Sequence, residues 1–191
     1  MNDLAFYFVE GWQHIISLNA LDHQLFVVTL AAIYLIQNWK QILILVTAFT
    51  IGHSITLALS LYNIINVNEK LIEFLIPCTI IITAIFNFTK KDFDTKSLQL
   101  NYFFALFFGL IHGLGFANTI RFMMAKDQTI GWSLLGFNVG LEVGQILIVA
   151  IMLLASYLAV NKAGLKRKYW VYTLSSITLI FSIKFALDRI P

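Results

Sequence analysis

Cysteine is nearly missing from this chain: Cys78 is the only one among 191 residues. An intramolecular disulfide is therefore excluded, and a thiolate metal cluster lacks its ligands. The neighbours Ile76, Pro77, Thr79 and Ile80 predict a buried structural thiol. Charge is also scarce, at 12% of residues against 59% apolar, a balance foreign to soluble domains. Strict period-2 alternation is absent, which argues against an outer-membrane barrel. No basic residue precedes Lys40, while Asp3 and Glu10 stand near the N-terminus. With neither a basic leader nor a small-residue cleavage site, that segment is expected to be mature protein. Repeats and low-complexity stretches are missing, and no linker announces a second domain. Residues 1–191 are expected to form a single transmembrane helical bundle.

What the chain has is apolar length, with a mean hydropathy of +0.81. Windows of about twenty apolar residues predict spans near 21–38, 41–62, 70–88, 100–121, 130–160 and 169–187. The expected class is an all-α polytopic membrane protein with about six transmembrane helices. The fifth span is overlong and should tilt or protrude. Residues 4–18, interrupted by Glu10, Gly11, Gln13 and His14, read as an N-terminal interfacial or re-entrant helix. Asn19 and Asp22 offer caps for the helix that follows. Lys40, Lys90, Lys91, Lys96, Lys162, Lys166, Arg167 and Lys168 fall in the odd loops, against Lys70, Arg121, Lys126, Lys184 and Arg189 opposite. That bias puts the odd loops in the cytoplasm and both termini outside. The net charge of +3 thus reports topology and gives no sign of a nucleic-acid partner.

Against this background the polar residues stand out. All four histidines, His14, His23, His53 and His112, lie at or within apolar segments, joined by Asp22, Glu142 and Gln145. An ion in hydrocarbon costs roughly 2.5–3.5 kcal/mol even on lenient insertion scales. At 1.5 Å per residue, His53, His112 and Glu142 each lie roughly 18 Å deep, near the middle of a core about 30 Å thick. Asp22, His23 and His14 belong to the outer end, so the set runs from the outer face inward. In the fifth span Asn138, Glu142 and Gln145 share one helical face, while Gly136, Gly140 and Gly144 occupy another. Small residues at that spacing allow close helix approach, as do Gly109 and Gly113 around His112. Thr50, Ser54 and Thr56 cluster with His53, although hydroxyls bond their own helix cheaply. One buried histidine is often structural; four with two acids weigh toward a shared site.

Imidazole nitrogens with carboxylate oxygens suit zinc, nickel, cobalt, manganese or iron(II). The lack of thiolates disfavours copper(I) and iron–sulfur sites, while copper(II) stays open. A bis-histidine haem would leave Asp22, Glu142 and Gln145 unexplained. A proton relay is a further reading.

At these residues the chain resembles the HupE/UreJ family of small bacterial membrane proteins. The similarity is carried by Gly11-Trp12-Gln13-His14-Ile15, by Ala20-Leu21-Asp22-His23-Gln24-Leu25-Phe26 and by Thr47 to Leu57 around Gly52-His53-Ser54. His112-Gly113-Leu114-Gly115-Phe116-Ala117 and Phe137 to Gln145 around Glu142 complete it. The resemblance implies an inner-membrane nickel or cobalt permease associated with hydrogenase or urease maturation. It further implies His14, Asp22, His23, His53, His112 and Glu142 as the metal-handling set, with Gln145 and Asn138 beside them, and Ser54 and Thr56 near His53 are further supporting candidates. Two other functions compete. One is an intramembrane zinc hydrolase, with three histidines and a carboxylate leaving one open position. The other is a non-transporting metal sensor or assembly factor.

Overall fold

The computed structural model describes residues 3–90, 98–123 and 130–191, apart from the side chains of Asp3, Asn19, residues 98–100 and Arg121. Lys91, Lys96 and Lys126, together with the side chains of Asn19 and Arg121, therefore lie outside what the structure describes. Among the described residues seven α-helices run in chain order: α1 (Asp3–Ile16), α2 (Leu21–Ala31), α3 (Trp39–Leu61), α4 (Glu69–Thr89), α5 (Leu98–Met123), α6 (Ile130–Ser156) and α7 (Arg167–Asp188). Among the described residues five stretches are long and apolar enough to cross a membrane: Ile36–Leu61, Glu69–Thr89, Asn101–Ile120, Ile130–Lys162 and Arg167–Asp188. The overlong fifth span is real, since α6 continues into a π-helical turn at Tyr157–Lys162.

The N-terminal expectation needs correcting. Residues 21–38 do not form one long helix: α2 has 11 residues and ends at Ala31. At 1.5 Å per residue it reaches only about 16 Å. The segment before it is a full helix, α1, packed deep in the bundle with Tyr7 and Ile15 completely buried. The N-cap of α2 is Ala20, with no side-chain hydrogen bond, so Asp22 lies inside the helix and does not cap it.

Glycines set the closest helix contacts. A Cβ at Gly136 would stand 2.5 Å from Leu4 O, one at Gly140 2.0 Å from Phe8 O, and one at Gly144 2.1 Å from Ile15 Cγ2. The partners ascend together, so α1 runs parallel to α6. In the same way a Cβ at Gly109 would lie 2.2 Å from Phe49 O and one at Gly113 2.3 Å from His53 O, which makes α3 and α5 parallel. Nothing larger than hydrogen fits at these crossings. By contrast, α4 and α7 are antiparallel, with Asn87 Nδ2 bonded to Ser175 Oγ and Arg189 near Glu73.

The second half-helix continues where the first stops. Phe26, Val27 and Leu30 of α2 share one apolar cluster with Val149 and Leu153, beyond Gly144 on α6. Asn87 Nδ2 also donates to Thr29 O, and Arg189 pairs with Asp22, so α2 runs antiparallel to α7. Thus α1 and α2 follow one another along α6 in a common direction, separated by the break at residues 17–20. Cys78, expected to be buried, is half-buried in α4.

Candidate metal centre

The break between α1 and α2 would leave carbonyls without partners in a medium that offers none. Gln24 answers it. Its Nε2 donates to Ile15 O at 3.1 Å, Ile16 O at 2.8 Å and Ser17 O at 2.9 Å. One amide thus caps the end of α1 from the first turn of α2. His14, in the last turn of α1, and His23, in the first turn of α2, are left on either side of the gap, ring centroids 4.6 Å apart.

His53 joins them from the middle of α3, its ring centroid 6.3 Å from each. One nitrogen from each of these three histidines lies within 4.8 Å of the others. Bonds of 2.0–2.1 Å to a common ion would bring such atoms to roughly 3–3.6 Å. To hold a common ion the triad would have to close by about an ångström. His112 on α5 adds a fourth ring, 4.8 Å from that of His23.

Hydrogen bonding gives these rings their meaning. His14 Nε2, His23 Nε2, both nitrogens of His53 and His112 Nδ1 are buried without a hydrogen-bond partner. Each such group costs about 1–3 kcal/mol if nothing binds it. His112 Nε2 is 3.1 Å from Thr79 Oγ1, while that hydroxyl spends its only proton on Ile76 O at 2.6 Å. The Thr79 oxygen must then accept, so Nε2 carries the imidazole proton and Nδ1 presents a bare lone pair. A neutral imidazole held this way is a prepared metal ligand.

Aromatic rings pack around the set. Phe116 lies 3.9 Å from the ring of His14, Phe137 is stacked on His53 at 6.1 Å, and Phe26 and Phe49 both flank His112 at 5.2 Å. On one side a cavity of about 190 Å³ reaches His14 and His23; Asp22, Glu73, Phe116 and Arg189 also line it. Glu73 is exposed, so this cavity connects the histidines to the end of the bundle where α4 begins and α7 ends.

The acids are placed differently from the histidines. Asp22 is buried in the first turn of α2, where the helix dipole favours a carboxylate, and its Oδ2 accepts from Arg189 Nη1 at 2.6 Å. Glu142 is half-buried and accepts from Thr47 Oγ1 at 2.6 Å, outside the triad. Gln145 Oε1 accepts from Thr50 Oγ1 at 3.0 Å. Asn138 reaches toward His53, although its Oδ1 stays unpartnered, and its Nδ2 donates to Leu134 O. The polar face of α6 therefore meets α3, while its glycine face meets α1. Ser54 bonds back to Thr50 O, and Thr56 bridges to Leu110 O on α5, so both serve helix structure beside the site.

Gln24, Thr79 and Arg189 were not picked out as site residues by sequence reasoning. Pro77 held a signal for the last of them. A proline inside a helix leaves the carbonyl four residues back without its N–H, here Glu73 O, and Arg189 Nη1 lies 3.5 Å from it.

An all-helical bundle of apolar spans with orphaned imidazoles at a helix break defines a polytopic membrane protein with a candidate intramembrane metal centre. The chain belongs to the HupE/UreJ family, whose profile, described as HupE / UreJ protein, matches residues 1–189. No curated protein and no solved structure matches it.

Proposed function

We propose that this protein is a divalent-metal permease of the nickel or cobalt type, with the ion as its cargo. The observation that carries this reading is the convergence of His14, His23 and His53, with unpartnered nitrogens, at the break between α1 and α2. Discontinuous helices commonly form ion sites in transporters, because the broken ends expose backbone dipoles at depth. In this reading α1 and α2 together act as a sixth, interrupted crossing. The cavity past Asp22 and Arg189 faces the periplasm, and both termini lie on that side of a bacterial inner membrane.

The ion arrives dehydrated beside Asp22, is held by His14, His23 and His53, and has His112 Nδ1 as the next lone pair. Glu142, on the adjoining seam of α6 and α3, supplies negative charge that eases departure. Membership of the family supports nickel or cobalt and a link to hydrogenase or urease maturation.

Three histidines with an open position also suit a zinc hydrolase. Proteoliposomes loaded with a metal-sensitive dye separate the two. Uptake of Ni²⁺ or Co²⁺ that disappears in His53→Ala is the expected result. No uptake of any divalent ion, with stoichiometric metal surviving chelator dialysis, would favour the hydrolase instead.

A further inference from the structure

Among the described residues, Arg189 is the only lysine or arginine lining the cavity that leads to the histidines. It lies one residue past α7, with Nη1 2.6 Å from Asp22 Oδ2 and 3.5 Å from Glu73 O. The two partners differ in freedom. The Asp22 side chain is 11% exposed and fixed within α2, whereas that of Arg189 is 30% exposed at a helix end. Breaking the pair therefore moves the guanidinium and leaves the carboxylate behind.

We propose that Arg189 is a tethered counter-cation that guards the cluster and selects for doubly charged ions, an inference that rests on the metal reading above. Without an ion it neutralises Asp22 and sets a positive charge on the wall of the approach to His14 and His23. When a dication arrives the guanidinium swings out toward exposed Glu73 and solvent, and Asp22 turns its charge to the newcomer.

Charge balance favours this exchange. Three neutral imidazoles offer no compensation for a dication in a poorly polarisable interior, and a carboxylate bound to arginine offers little more. Releasing Arg189 exchanges one positive charge for two beside the same carboxylate. A monovalent ion brings no more charge than the group it displaces and lacks its directed hydrogen bonds. It cannot open the pair on equal terms.

The test uses the full chain in lipid nanodiscs and Co²⁺ as probe, followed by its visible absorption in stopped flow. Arg189→Gln should bind Co²⁺ about tenfold faster and more tightly than wild type, the effect of removing one charge-assisted hydrogen bond. Arg189→Lys keeps the charge and should stay slow. In an Asp22→Asn background Arg189→Gln should add nothing, because the two residues act as one unit. Equal rates and affinities in wild type and Arg189→Gln, with melting temperature alone lowered, would reduce Arg189 to a structural tie. Weaker binding by Arg189→Gln would overturn the proposal in the other direction, making Arg189 a support for Asp22 as ligand. A folded wild type that gives no Co²⁺ bands would remove the metal reading itself.

Discussion

His14 and His23 face each other across a broken helix, nine positions apart in the chain and 4.6 Å apart between ring centroids. On a continuous helix, residues nine apart lie about 13 Å apart along the axis. The interruption at residues 17–20 brings them together, and Gln24 makes it tolerable by sharing its two amide protons among Ile15 O, Ile16 O and Ser17 O, the last of which also accepts from Ala20 N. The candidate site is thus a consequence of where the α-helix is interrupted by a 3-10 turn at Leu18–Ala20.

Gln24→Leu keeps the bulk and removes the cap. Loss of these bonds should destabilise the protein by about 1–3 kcal/mol. It should also weaken metal binding, since His14 and His23 lose their fixed separation. Melting in detergent with and without Co²⁺ reads both effects. A variant as stable and as tightly binding as wild type would remove Gln24 from the argument.

A ligand that binds only the folded state raises its stability by about 2.7 kcal/mol at a hundredfold excess over Kd. Ni²⁺ should therefore raise the melting temperature of wild type reversibly, with chelator restoring the original value. His14→Ala, His23→Ala and His53→Ala should each lose this shift. If all three retain it, the ion binds elsewhere.

Thr79 orients His112 by accepting its Nε2 proton. Partners of this kind typically contribute 10–100-fold to metal affinity. Thr79→Val should lower Co²⁺ affinity by about tenfold, and Thr79→Ser should preserve it. Indistinguishable Co²⁺ titrations for the two variants would place His112 outside the coordination.

Glu142→Gln retains an acceptor for Thr47 and removes the charge. It should leave equilibrium Co²⁺ binding nearly intact while slowing uptake into proteoliposomes. Loss of binding as severe as in His53→Ala would make Glu142 a ligand instead.

Gly140 and Gly131 form a contrast within α6. A Cβ at Gly140 meets Phe8 O at 2.0 Å, whereas one at Gly131 meets nothing within 4 Å. Gly140→Ala should cost about 1–3 kcal/mol by overpacking and, by pushing α1 away, weaken Co²⁺ binding through His14. Gly131→Ala should be silent in both melting and binding assays.

Hydropathy alone located five of the six expected spans, within a few residues of α3 to α7, because apolar length and charge exclusion are written locally. The spacing of Asn138, Glu142 and Gln145 likewise put them on one face, and that face meets α3. The first span failed because α1 and α2 are each too short for a twenty-residue window, and the polar break between them looks like an interfacial boundary. Equal depth suggested that Glu142 would join His53 and His112, yet depth fixes only one coordinate. The rotation of α6 turned Glu142 to Thr47.

The sequence by itself therefore determined an all-helical membrane protein and an inventory of histidines and acids, since burial of apolar surface depends on composition and periodicity. Only tertiary structure decided which of them converge. Gln24 finds its carbonyls across a chain break, and Asp22 finds Arg189 from 167 positions away. Such pairings arise when the packed bundle leaves polar groups no other partner, a condition that no local stretch of sequence records.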